Sequence, residues 1–186
     1  KATYEEAIEG IKSGFCHSTH LFNAMTGFTH REPGVVGTTF DTDITTETIS
    51  DGIHISYPSL RIAYKQKGTD KTLLVTDAMC ACGMPDGKYA LGGQPVIVKN
   101  GAARLENGAL AGSVLTLNRA IKNIYENTDY PLYEIIKMAS YNGAKYCKVD
   151  NKKGQIKENF DADLVVFDEN IDIKITIIGG KVVYSN

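Results

Sequence analysis

Apolar and polar positions follow one rhythm up to about residue 78 and another beyond it. In the first stretch, helix-period segments alternate with short strand-like runs. Residues 2–12 place Ala7, Ile8 and Ile11 on one face, Thr3 and Glu6 fit a T-x-x-E capping box, and Gly14 closes the segment. Phe15 to Thr19 predicts a short strand, and residues 23–40, with Gly27, Pro33, Gly34 and Gly37, predict a long loop able to approach a ligand closely. Thr48 to Ile55 predicts a second strand, interrupted at Asp51-Gly52. Tyr57 to Lys67 predicts a helix with Pro58 in its first turn, Leu60, Ala63 and Tyr64 facing inward, and Gly68 as its stop. Thr72 to Thr76 predicts a third strand. This order of elements is that of an α/β layer with parallel strands.

From Ala78 to Gly112 the pattern shortens to small apolar runs between glycines: Lys88–Leu91, Pro95–Val98 and Ala103–Leu105. They predict antiparallel hairpins inserted after the third strand. Ser113 is placed to cap a helix from Val114 to Glu126 that carries Val114, Leu117, Ile121 and Ile124 on one face. Pro131 opens another helix with Leu132, Ile135, Ile136 and Ala139, and a short helix follows at about 142–146. The tail returns to strands at Ala162–Phe167 and Ile173–Ile178, with Gly179-Gly180 as a two-residue hairpin turn before Val182–Tyr184.

Composition narrows the function. The chain has 186 residues, is 42% hydrophobic and 23% charged, and so holds enough apolar material for a core. Its net charge of −2 gives no electrostatic case for nucleic acid. No apolar run approaches the ~18 residues of a membrane span. With no basic-then-apolar leader, the chain is expected to be cytoplasmic. Cys16, Cys80, Cys82 and Cys147 include a C-x-C pair, shorter than structural zinc spacing, and read as free thiols in a reducing compartment.

The chemistry lies at the strand ends. His20 follows the first strand and Asp77 the third, an arrangement typical of barrel-type metal hydrolases. A neutral imidazole there can hold Zn²⁺ or Fe²⁺, and a carboxylate can move a proton from an attacking water to a leaving amine. Each residue also has an ordinary structural reading. Asn23 and the loop amides after it suit an anion, and Arg31 suits a phosphate or carboxylate through its planar fork. Equally, they are a loop asparagine and a solvated arginine. His54, in Asp51-Gly52-Ile53-His54-Ile55, is either a contact for a substrate hydroxyl or a satisfied polar residue at a rim. His17, three residues before His20, would point to the opposite face of a regular strand. Leu110-Ala111-Gly112-Ser113 is either a loop that lets backbone approach a ligand or a plain helix start.

Six ordered segments carry a family resemblance. They are Thr19-His20-Leu21-Phe22-Asn23-Ala24-Met25, Arg31-Glu32-Pro33-Gly34, Asp51-Gly52-Ile53-His54, Val75-Thr76-Asp77-Ala78, Leu110-Ala111-Gly112-Ser113 and Ala162-Asp163-Leu164-Val165-Val166. Together the chain resembles the N-acetylglucosamine-6-phosphate deacetylases of the amidohydrolase superfamily. The resemblance implies an α/β fold, the C-terminal part of a (β/α)₈ TIM-type barrel plus part of a small β-sandwich. Residues 1–150 would hold barrel strands six to eight with a hairpin insertion at about 86–110, and residues 151–186 the sandwich strands. It implies hydrolysis of N-acetylglucosamine 6-phosphate to glucosamine 6-phosphate and acetate, in amino-sugar catabolism. His20 would be a ligand of a divalent metal, Zn, Fe or another. Asp77 would be general base and then general acid. Asn23 and the Ala24 backbone would hold the sugar phosphate, Arg31 would reach the phosphate in the neighbouring subunit of a homodimer, and His54 would contact the substrate.

The family's metal site also needs a glutamate and a second histidine from earlier strands, and neither is present. The expectation is therefore a fragment holding three of eight barrel strands, with open edges that invite pairing. Two other readings stay open: a different amidohydrolase, of dihydroorotase-like or dipeptidase-like kind, and a catalytically inert fragment or assembly module.

Overall fold

A computed structural model describes all 186 residues. Helix α1 (Tyr4–Lys12) leads into strand β1 (His17–Ser18), and α2 (Gly34–Asp41) into β2 (Thr45–Ile49). Helix α3 (Tyr57–Lys67) then connects to β3 (Thr72–Val75). The three strands form one parallel sheet in the order β1-β2-β3, with Ser18 opposite Thr46, Thr46 opposite Thr72 and Ile49 opposite Val75. Their C-terminal ends therefore share one edge.

The predicted starts and stops hold where local chemistry dictates them. Thr3 and Glu6 form a reciprocal capping box at α1. Gly68 ends α3 at φ 78, and Leu60, Ala63 and Tyr64 are all buried. The second strand is a correction: it spans Thr45–Ile49, and the segment from Ser50 to Ser56 leaves the sheet as a loop. The predicted loop at 23–40 is also corrected, because its last third is α2. Valine, threonine and glycine are poor helix formers, so the sequence hides this helix. Tertiary contacts enforce it. Val36, Gly37, Thr38 and Thr39 are buried, and the Thr38 and Thr39 hydroxyls donate back to the carbonyls of Gly34 and Val35. Lys67 Nζ donates to the carbonyls of Thr39 and Thr42 at 2.7 and 2.6 Å, closing the helix end.

After β3 come β4 (Gly87–Leu91), β5 (Gln94–Lys99) and β6 (Ala102–Leu105), the expected antiparallel hairpins. They enclose a small core of Met79, Ala81, Val96, Val98, Ala103 and Ala111. Helices α4 (Leu117–Asn127), α5 (Leu132–Ala139) and α6 (Tyr141–Tyr146) follow. The expected helix start at Ser113 is wrong: α4 begins at Leu117 with Thr116 as N-cap, and Val114 lies outside it. The largest core cluster joins the α/β layer to these helices through Ile55, Leu60, Tyr64, Leu74, Ile124, Ile135 and Met138. Each fully buried side chain of this kind contributes about 1.5–3 kcal/mol.

The chain closes with β7 (Leu164–Phe167), β8 (Ile173–Ile178) and β9 (Lys181–Ser185), a third sheet, which is antiparallel. Gly179 and Gly180, at φ 55 and 78, make the tight turn between β8 and β9 that the sequence signals. This sheet leaves Val165, Val166, Ile178, Val182, Val183 and Tyr184 exposed. No helix of the structure is long and apolar enough to cross a membrane.

Candidate active site

The expected residues lie at the C-terminal edge of the parallel sheet. His20 lies two residues past β1, Asp77 two residues past β3, and His54 five residues past β2. Neighbouring strands are ~4.8 Å apart, so β1 and β3 stand about 10 Å from one another. Ligands of open α/β sheets gather at this kind of edge.

Backbone strain concentrates there. Of the eight non-glycine residues with positive φ, four are His20, Phe22, Ala24 and Asp77, at 32, 72, 54 and 48°. Such conformations cost energy and persist where the surroundings force them, commonly at functional sites. The first three alternate along the loop that follows β1. This sharp winding ends β1 at Ser18, so the face alternation expected between His17 and His20 does not apply.

The His20 ring is held by its own loop. Its Nδ1 lies 3.0 Å from the Asn23 carbonyl, which fixes Nδ1 as the N–H donor and leaves Nε2 with its lone pair, which faces the Thr19 hydroxyl at 3.4 Å. The Asn23 carboxamide donates to the Leu21 carbonyl at 3.1 Å, so part of its capacity is spent on the loop. The Ala24 N–H has no acceptor within the chain. Arg31 sits in an exposed turn, which Thr29 and Glu32 close, and makes no ion pair within the chain.

Asp77 is exposed, and its carboxylate makes no hydrogen bond within the chain. Its backbone, by contrast, is tied down. Ser113 N–H donates to the Asp77 carbonyl at 2.8 Å, and Met79 N–H donates to the Ser113 carbonyl at 2.9 Å. The buried Ser113 hydroxyl donates to the Thr76 carbonyl and accepts from Leu115 N–H. Ser113 thus braces the Asp77 loop and is not the helix start of one sequence reading. The Gly112 position favours glycine: its φ is 63°, and a Cβ there would lie 3.1 Å from the Asp77 carbonyl oxygen.

Sequence reasoning missed two carboxylates. Glu47 on β2 places Oε1 3.1 Å from His17 Nε2, and Oε2 3.5 Å from the backbone N of His20. The His17 ring beside it, outweighing burial, holds its carboxyl below the usual value. The His17 ring itself stacks on Tyr146 with centroids 4.2 Å apart and meets the Thr45 hydroxyl at 2.7 Å. Asp51 is the second. Its Oδ2 lies 2.7 Å from His54 Nδ1, and its Oδ1 accepts from the N–H groups of Ile53 and His54, both at 2.8 Å. The available signals were a charge inside the Thr-Thr-Glu-Thr-Ile strand and an Asp-Gly turn with histidine three residues on.

The donor set fits one corner of a metal centre. His20 Nε2 is a suitable ligand, yet no three His, Cys, Asp or Glu side chains of the chain converge as a complete site. The four cysteines are free, and Cys80 and Cys82 point their sulfurs at different carbonyls.

The model of the amidohydrolase family matches residues 1–183. The chain belongs to the amidohydrolase family. Within that family it is 46% identical, over 182 residues, to the N-acetylglucosamine-6-phosphate deacetylase of Lysinibacillus sphaericus, covering 97% of this chain and 47% of that protein. It is 35% identical over 181 residues to an N-acetylgalactosamine-6-phosphate deacetylase of Escherichia coli O157:H7, covering 97% and 48%. The crystal structure of N-acetylglucosamine-6-phosphate deacetylase from Pasteurella multocida superimposes with a TM-score of 0.95 at 36% identity, over all of this chain and 48% of that one. This amidohydrolase chain therefore spans about half the length of these relatives.

Proposed function

We propose that this chain supplies one half of a metal-dependent deacetylase that hydrolyses N-acetylglucosamine 6-phosphate to glucosamine 6-phosphate and acetate, a step of amino-sugar catabolism in the cytoplasm. The observation that carries the reading is the gathering of His20, His54 and Asp77 at one edge of three adjacent parallel strands, on a backbone strained at His20 and Asp77. In this reading β1, β2 and β3 are strands six to eight of a (β/α)₈ barrel. Strands β4–β6 are an insertion at about 86–110, and residues 151–186 belong to a β-sandwich. The exposed apolar residues of the last sheet suit such a second layer.

The roles follow from what each group has free. His20 Nε2 would hold a divalent cation, Zn or Fe, together with ligands from outside this chain. When bound, such a cation supplies an activated water. Asp77, whose carboxylate is unengaged, takes a proton from the attacking water and returns it to the leaving nitrogen. The Ala24 N–H, which has no acceptor within the chain, and the remaining capacity of Asn23 hold the phosphate. Arg31, exposed and without a carboxylate partner, reaches the phosphate bound by a second copy in a homodimer. His54 faces a substrate hydroxyl.

The test is acetate release by a chimera in which this chain replaces its counterpart in the Lysinibacillus sphaericus relative. N-acetylglucosamine 6-phosphate is compared with unphosphorylated N-acetylglucosamine and with the C4 epimer, N-acetylgalactosamine 6-phosphate. The reading expects the first to be hydrolysed with the highest kcat/KM. Equal turnover of the unphosphorylated sugar would remove the phosphate-binding roles, and preference for the epimer would move the substrate to the galacto series.

A further inference from the structure

Asp51 and His54 form the most tightly specified side-chain pair near the strand ends. Both side chains are nearly buried, at 8% and 6% exposure. The turn that joins them leaves little freedom. Gly52 sits at φ 76, and a Cβ there would come within 2.8 Å of the Tyr57 ring. Asn123 on α4 donates to the Ser50 carbonyl at 2.9 Å and fixes the entry to the turn.

The hydrogen-bond inventory then fixes the imidazole. Both Asp51 oxygens are engaged as acceptors: Oδ1 takes two backbone N–H groups, and Oδ2 faces the ring nitrogen. Burial alone would raise the Asp51 carboxyl. The hydrogen bonds from the His54 ring and from the two N–H groups outweigh it, and the carboxyl is held below its ordinary value. An ionised carboxylate only accepts, so Nδ1 carries the hydrogen. Nε2 has no partner within the chain and keeps its lone pair when the ring is neutral.

We infer that Asp51 is a positioning residue, which fixes His54 in the Nδ1–H tautomer so that Nε2 accepts a hydrogen bond from a substrate hydroxyl. This rests on the reading that His54 faces the substrate. The carboxylate acts through the histidine and touches no substrate itself, as carboxylates behind metal-binding and catalytic histidines do.

The decisive variant is Asp51→Asn. Its carboxamide oxygen keeps accepting from Ile53 and His54 N–H, while its NH₂ faces Nδ1 and forces the proton to Nε2. With ¹⁵N-labelled histidines in this chain, the wild type is expected to show His54 protonated at Nδ1. The variant is expected to show it protonated at Nε2, with His17, His20 and His30 signals unmoved. In the chimera, kcat/KM is expected to fall about 10- to 100-fold. A wild-type His54 unprotonated at Nδ1, or a tautomer unchanged in Asp51→Asn, overturns the inference. A switched tautomer, combined with full activity in His54→Ala, upholds the positioning and overturns the substrate contact instead.

Discussion

Replacing Gly112 by alanine tests how the fold holds Asp77. Two costs add at this position. At φ 63 the new Cβ is strained, for about 1–2 kcal/mol. The Cβ would also lie 3.1 Å from the Asp77 carbonyl oxygen and 3.4 Å from Met79 Cβ. That oxygen cannot retreat freely, because it accepts from Ser113 N–H at 2.8 Å. Stretching this bond forfeits up to about 1 kcal/mol more, for a total of up to about 3 kcal/mol. Gly108 is the control: its φ is 84°, and a Cβ there would meet nothing within 4 Å. Gly108→Ala therefore carries only the backbone strain, about 1–2 kcal/mol. Urea unfolding of both variants should show the larger loss for Gly112→Ala at an unchanged m-value. In the chimera, Gly112→Ala should also lower kcat, on the scale of roughly 100-fold per ångström of displaced catalytic group, whereas Gly108→Ala should not. Equal stabilities and an unaltered kcat would refute the bracing of Asp77 by residues 112–113.

Four further outcomes are expected. Tyr64→Phe removes a buried hydroxyl bonded to Thr48 and Ser50 at 3.0 and 2.9 Å. Those two lie 3.3 Å apart and can pair, so urea unfolding should show a loss of only about 1 kcal/mol; a loss above about 3 would contradict that repair. Burial pushes the Tyr64 phenol up to about 12, and absorbance titration should find it un-ionised through pH 10. The Asp51 carboxyl is depressed in the fold, so its contribution is complete above the ordinary carboxylate range and is lost as pH falls through that range toward the folded value. Asp51→Asn should therefore lose less stability than wild type between pH 7 and pH 3, and parallel curves would contradict the assignment. Ile135→Ala, at a fully buried position, should cost about 2–5 kcal/mol by the same unfolding assay.

Much of the fold was legible because local chemistry marked it. The Thr3–Glu6 box, the Gly68 stop, the inward stripe of α3 and the Gly179-Gly180 turn each follow from one or two residues acting nearby. What stayed hidden depends on distant partners. Helix α2 reads as a loop because its residues disfavour helix, and burial of Val36 beside Leu21 and Ala63, with the Lys67 cap, overrides them. Ser113 has the chemistry of an N-cap, yet its hydroxyl is claimed by the Thr76 carbonyl 37 residues away. At the site, the strand-end positions of His20 and Asp77 were readable from pattern. Glu47 behind His17 was not, because the two meet only through the pairing of β1 with β2, whereas Asp51 lies three residues before His54 and was within reach of a local reading.

The most direct measurement is acetate release from N-acetylglucosamine 6-phosphate by the metal-loaded chimera and by its Asp77→Asn variant, with substrate affinity measured alongside. The variant should keep its affinity and lose about 10²- to 10⁴-fold in kcat, the contribution of a proton-transferring carboxylate. Near wild-type turnover in Asp77→Asn would contradict the assignment of Asp77 and with it the catalytic reading of this strand edge.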